Sequence, residues 1–180
     1  MLHCITGTDM HQIKEMPHRL PRSAYRGQVR AAFVVCAAHR KPLFDTQLTQ
    51  QLLLDILRRK SARYQCSVTV YVIMPDHLHI ILRGETDDAD LYACVVQVKR
   101  SFSYALGRRI WQKDFFDHLI RDRNDLAQQI MYVLFNPVRA GLVQEWWQYH
   151  GSGSLSGTLD EMLQFARDMR QLAEREGRKW

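Results

Sequence analysis

The stretch "YVIMPDHLHIILR", residues 71–83, decides the fold. It is apolar on both sides of an interruption made by Pro75, Asp76, His77 and His79. Pro75-Asp76, flanked by "CSVTVYVIM" and "HLHIILR", reads as a tight hairpin connection between two strands. Alternate side chains of a strand share a face. Leu78, Ile80 and Leu82 therefore form an apolar face suited to a core, while His77, His79 and Ile81 project the other way. Two imidazoles separated by two positions on one face lie close enough to hold one metal ion, if a third ligand exists. A partly exposed polar edge or a hydrogen-bonded structural pair has the same pattern, so H-x-H alone leaves both readings open. Neither H-E-x-x-H nor an H-x-E with paired cysteines is present, which argues against a zinc hydrolase.

Outward from the hairpin, "QVRAAFVVCAAHR", 28–40, is a strand candidate ended by Lys41-Pro42. Asp45 or Thr46 caps a helix running to about Tyr64, with Leu48, Leu52, Ile56 and Leu57 on one side. A second helix spans about Ala89 to Leu106 and closes near Gly107. "FFDHLIR" is short and extended. The next helix opens at Asn124 or Asp125 and stops at Asn136-Pro137. Beyond "GSGSLSG", Thr158 and Glu161 form a capping-box pattern, and Met162, Leu163, Ala166, Met169 and Leu172 give the last helix an apolar stripe. This order predicts an α+β fold: a ferredoxin-like antiparallel sheet with helices on one face and the other face free for ligands. The expected organisation is an N-terminal arm over 1–25, one domain over 26–150 and a C-terminal helical extension over 151–180.

Composition narrows the class. Hydrophobic residues make up 46% of the 180, too many for a disordered chain. No apolar run approaches the roughly 20 residues needed to span a bilayer, and the N-terminus lacks the apolar core of a signal peptide. A cytoplasmic location with no membrane partner is expected. Cys4, Cys36, Cys66 and Cys94 are scattered without a C-x-x-C pair, and Cys36 and Cys66 read as small buried hydrophobes. The net charge is +6. Residues 99–123 hold an excess of four positive charges, interleaved with Phe102, Tyr104, Trp111, Phe115 and Phe116. Lys99, Arg100, Arg108, Arg109, Arg121, Arg123 and, further on, Arg139 are candidates for phosphate contacts, and Tyr104 for base stacking. A solvated helix face over ordinary core aromatics has the same composition.

"DLAQQIMYVLFNPVRAGLV", 125–143, contains the second constellation. Tyr132 and Asn136 are four apart and share one helix face, with Gln128 and Gln129 one turn earlier. A phenol, with an ordinary pKa of about 10, is a poor nucleophile at neutral pH. A divalent cation polarising the target phosphate makes its attack feasible. As a core aromatic before a helix stop, Tyr132 has a bland reading too.

Taken together, these segments resemble the single-tyrosine HUH transposases, in the REP-associated tyrosine branch. The histidine-hydrophobe-histidine signature stands as His77-Leu78-His79 after Met74-Pro75-Asp76. "YVLFNPVRAGLV" resembles the nucleophile block, "WQKDFFDHLIRD" (111–122) the segment before it, and "FVVCAAHRKPLF" (33–44) the opening strand and turn. The resemblance spans roughly 25–150. It implies an HUH-nuclease fold and a metal-dependent single-stranded DNA endonuclease and strand transferase acting at hairpin-bearing DNA ends. In that scheme Tyr132 forms a 5′-phosphotyrosine and frees a 3′-hydroxyl, while His77, His79 and Asn136 hold Mg²⁺ or Mn²⁺. Gln128 is a candidate for orienting a water or phosphate. Many relatives carry glutamine where this chain has the shorter Asn136, and "EWWQYHGSGSL" matches the branch's tryptophan-serine-serine element only loosely. Monomer and homodimer, with the tyrosine acting in cis or in trans, both remain open. So do a relaxase-like nicking enzyme and a non-catalytic single-stranded nucleic-acid-binding module, since ferredoxin-like sheets also bind RNA.

Overall fold

The computed structural model describes residues 20–177, so most of the expected N-terminal arm lies outside the described residues. Five strands, β1 (Arg30–Cys36), β2 (Cys66–Met74), β3 (His77–Gly84), β4 (Phe116–Ile120) and β5 (Ser152–Gly153), form one sheet in the order β4-β1-β3-β2-β5. All neighbours pair antiparallel. The first four strands give the ferredoxin-like arrangement expected, with β5 added at the β2 edge. The histidine strand β3 lies between β1 and β2, so its backbone is hydrogen-bonded on both sides. Pro75-Asp76 forms the predicted two-residue connection, with Met74 opposite His77.

The alternation read from the sequence holds. Leu78, Ile80 and Leu82 enter one core cluster with α1 (Gln47–Arg63) and α2 (Leu91–Ala105). Ile81, on the histidine face, enters a second cluster with Ala32, Val70, Val72 and Met74. The expected free face is therefore covered in part. α3 (Arg123–Leu134) lays Ala127, Ile130, Val133 and Leu134 on it, and α5 (Leu159–Arg175) adds Leu163 and Ala166. Apolar strand residues on that face need cover, and each large side chain buried there contributes about 1.5–3 kcal/mol.

Local signals account for most boundaries. Thr46 caps α1 and Asp90 caps α2 through side-chain acceptors. Thr158 and Glu161 form the expected capping box. α3 begins earlier than predicted, because Asp122 rather than Asn124 or Asp125 accepts the capping bond. The stripe of α1 is rotated from the sequence reading. Leu53, Ile56 and Leu57 are buried, whereas Leu48 is 76% exposed. On α5, Leu172 likewise stays exposed. Cys36 and Cys66 are buried, as expected, Cys94 is buried too, and all three are unbridged; Tyr71 is packed. No helix among the described residues is long and apolar enough to cross a membrane.

Gly84 ends β3 where the Gly27 turn crosses it: a Cβ there would come within 1.9 Å of the Gly27 carbonyl oxygen. Backbone cannot yield cheaply, so Gly84→Ala should cost about 1–3 kcal/mol, read as a lowered urea midpoint at unchanged slope.

Candidate active site

β3 presents His77 and His79 with ring centroids 4.7 Å apart. Both are buried. The His77 Nδ1 lies 2.6 Å from Asp76 Oδ1. Among the buried side-chain atoms, His79 Nε2 has no hydrogen-bond partner. Such an orphan costs about 1–3 kcal/mol, and native interiors rarely leave one without a reason. Burial pushes the His77 imidazole below its ordinary value, offset in part by the Asp76 hydrogen bond. Burial, then the neighbouring His77 and the cations Arg139 and Arg40, holds His79 well below it. Both rings are thus kept neutral, the state in which imidazole offers a lone pair to a cation.

Tyr132 comes to these rings from the helix that covers their face of the sheet. On α3 it lies beside the buried stripe rather than on it, so it is 51% exposed. Its ring centroid is 6.1 Å from that of His79. α3 does not run on through Asn136 as the sequence reading had it. It ends at Leu134, Phe135 serves as the joint, and Asn136–Arg139 form a short separate turn, α4. Pro137 fits the first turn of α4 because no helical partner is needed for its missing N–H.

This joint folds two side chains back on the tyrosine. Asn136 Nδ2 donates to the Tyr132 carbonyl at 3.4 Å, one of the carbonyls a helix end leaves over. The amide's oxygen is left as its acceptor end. Arg139 donates to the same carbonyl and sets its guanidinium 4.4 Å from the Tyr132 ring centroid. No cluster of three His, Cys, Asp or Glu exists among the described residues. A third protein ligand beside the two histidines would have to be an amide such as Asn136. An orphaned buried imidazole nitrogen and its neighbour ring are donors that fit a divalent cation.

The basic candidates divide between two faces. Arg121 and Arg123 are exposed at the start of α3 and line an open depression of about 510 Å³ with Arg30 and Phe165. Arg123 lies nine residues before Tyr132, about 13 Å by the helical rise. Arg100 and Tyr104, the latter 90% exposed, instead line a groove of about 390 Å³ between α1 and α2, with Arg59 and Lys60. That helix layer covers the opposite face of the sheet from Tyr132. Arg108 and Arg109 are exposed in the loop after α2. Lys99 is engaged within the chain: its ammonium bonds the carbonyls of Gln112 and Lys113 at 2.9 and 3.0 Å. Phe102 and Phe115 are core residues. Gln128 is half-buried. The sequence candidates did not include Arg30 or Arg40, nor Arg59 and Lys60, although these last two belong to the basic run Arg58-Arg59-Lys60.

The geometry agrees with known proteins. The family profile described as transposase, IS200-like, matches residues 26–119. A REP-associated tyrosine transposase of Escherichia coli strain K12 is 30% identical over 114 residues, which is 63% of this chain and 68% of that protein. A solved REP-associated tyrosine transposase bound to a REP hairpin superposes with a TM-score of 0.67 at 26% identity, covering 75% of this chain and 80% of that one. With an H-x-H strand, a tyrosine helix and these likenesses in agreement, the chain belongs to the IS200-like transposase family, among its REP-associated tyrosine members.

Proposed function

We propose that the protein cuts and rejoins single-stranded DNA at hairpin-bearing ends in the cytoplasm, through a covalent 5′-phosphotyrosine at Tyr132. The observation that carries this reading is the approach of the Tyr132 ring to 6.1 Å from His79, whose Nε2 is buried and unpartnered. His77, His79 and Asn136 would hold Mg²⁺ or Mn²⁺, and the imidazoles favour Mn²⁺ over the oxygen-seeking Mg²⁺. When bound, the cation supplies polarisation of the scissile phosphate.

The chain's own residues do the rest. The Tyr132 oxygen attacks phosphorus, its proton passes to water at this half-exposed site, and the O3′ of the preceding nucleotide leaves, taking a proton from water to become the free 3′-hydroxyl. One phosphodiester is exchanged for another, so rejoining to a second 3′-hydroxyl needs no nucleotide triphosphate. Arg139 holds a positive charge beside the reacting ring, where it can pair with the phosphate. The test is adduct trapping: wild-type protein with labelled hairpin-bearing single strands and Mn²⁺ should give a protein–DNA band on a denaturing gel. No band on any such substrate would favour the non-catalytic binding module.

Arg121, Arg123 and Arg139 are proposed to hold the strand near the tyrosine. Arg100, Tyr104, Arg108 and Arg109 are proposed to contact the DNA farther from the reacting phosphate. Affinity should fall with salt by about 0.7 log units per log unit for each phosphate neutralised. Replacing Arg121 and Arg123 with alanine should flatten the slope on both short unpaired strands and hairpin-bearing ones. Replacing Arg108 and Arg109 should flatten it only on the hairpin-bearing substrate. Fluorescence anisotropy across a salt series checks both, and equal effects on both substrates would merge the two tracks.

A further inference from the structure

The turn between β1 and α1 is built in an uncommon way. His39 and Arg40 both have positive φ, 56° and 54°, a region that residues other than glycine visit rarely and almost never in succession. The turn is tied to the hairpin tip by backbone bonds. Ala37 N donates to the Asp76 carbonyl at 2.8 Å, and Leu43 N and Phe44 N both donate to the Pro75 carbonyl. What this backbone delivers is the Arg40 side chain. Its Nε lies 2.7 Å from Asp76 Oδ2, and its terminal nitrogen donates to Cys36 Sγ at 3.0 Å. The other Asp76 oxygen, Oδ1, is the one 2.6 Å from His77 Nδ1. An ionised carboxylate can only accept, so the proton of this bond sits on the imidazole. His77 is then the Nδ1–H tautomer, with the lone pair on Nε2.

We propose that Arg40 and Asp76 are positioning residues that lock the His77 ring, in tautomer and in rotation, for a divalent cation. The inference rests on the reading of His77 and His79 as ligands and extends it to the chain Cys36–Arg40–Asp76–His77. Ligating histidines commonly donate their second ring N–H to a carboxylate, and loss of that partner weakens metal affinity by about 10–100-fold. Here the carboxylate could swing away were its second oxygen free, and Arg40 occupies that oxygen. The left-handed backbone at residues 39 and 40 is then the conformation that brings a guanidinium to the hairpin tip. The bonds docking the tip to the turn are made by main chain, so side-chain changes at 40 and 76 leave them in place.

The test has two readouts. In the metal-free protein, long-range ¹⁵N–¹H correlation spectra report the tautomer of each histidine. Wild type should show His77 protonated at Nδ1, Asp76→Ala should show a mixture, and Asp76→Asn should restore the wild-type pattern because the amide oxygen accepts the same proton. His79 serves as the internal reference. Calorimetric titration with Mn²⁺ should then show about 10–100-fold weaker binding for Asp76→Ala, a smaller loss for Arg40→Met and near-complete rescue in Asp76→Asn. A wild-type tautomer in Asp76→Ala, or unchanged Mn²⁺ affinity with the tautomer lost, overturns the proposal. If wild type takes up no Mn²⁺, the ligand reading fails by itself, and the tautomer spectra still decide whether Asp76 fixes the ring.

Discussion

Tyr132→Phe should bind Mn²⁺ and hairpin-bearing single strands as wild type does, yet lose cleavage by a factor on the order of 10⁴–10⁶, the scale seen when a nucleophile is removed. The substitution deletes one hydroxyl from a half-exposed ring. It leaves Arg139 over the ring and the bonds to the Tyr132 main-chain carbonyl intact. Stability should move by less than about 0.5 kcal/mol, as for surface changes generally. The covalent band on a denaturing gel should vanish. Tyr104→Phe is the control: 90% exposed on the opposite helix layer, it should keep both cleavage and adduct. A persistent adduct in Tyr132→Phe would move the nucleophile elsewhere and end the assignment.

Replacing His77 and His79 together by alanine should remove the response to Mn²⁺. A ligand at 100 times its dissociation constant stabilises the folded state by about 2.7 kcal/mol. For a domain of this size that is about 5–10 °C in Tm. Wild type should show that rise and the double variant none. Survival of the fold would follow directly if the histidines stood on an open, ligand-facing side of the sheet, as the sequence predicts. Both are in fact buried, so survival has another basis. Lost ring packing is opposed by deletion of the orphaned His79 nitrogen, which should hold the metal-free Tm within about 5 °C of wild type. Differential scanning calorimetry with and without Mn²⁺ checks this, and an equal rise in both proteins would remove the metal site from β3.

Period-two and capping patterns were legible because they depend on near neighbours. Leu78, Ile80 and Leu82 alternate with the histidines whatever the rest of the chain does, and Thr46 and Thr158 cap their helices with bonds three residues long. The tyrosine block could be found for the same reason, together with its resemblance. What escaped depended on distance. The cover on the histidine face comes from α3 and α5, and nothing in β2 or β3 announces which helix will seat there. The separation of Tyr104 from Tyr132 onto opposite sides of the sheet could not be read from a charge run that is continuous in sequence. Asp76 stood next to His77 in plain sight. Its partner Arg40 lies thirty-six positions earlier and reaches it only through two left-handed residues, which no propensity favours.

The histidine strand and the tyrosine helix meet within one polypeptide. On the proposed reading, a centre assembled that way would be whole at any dilution. Its output per molecule would then be independent of how much protein a cell makes. For the proposed DNA cleavage, restraint would then have to come from the scarcity of the message or of the target, because waiting for a partner to arrive supplies none.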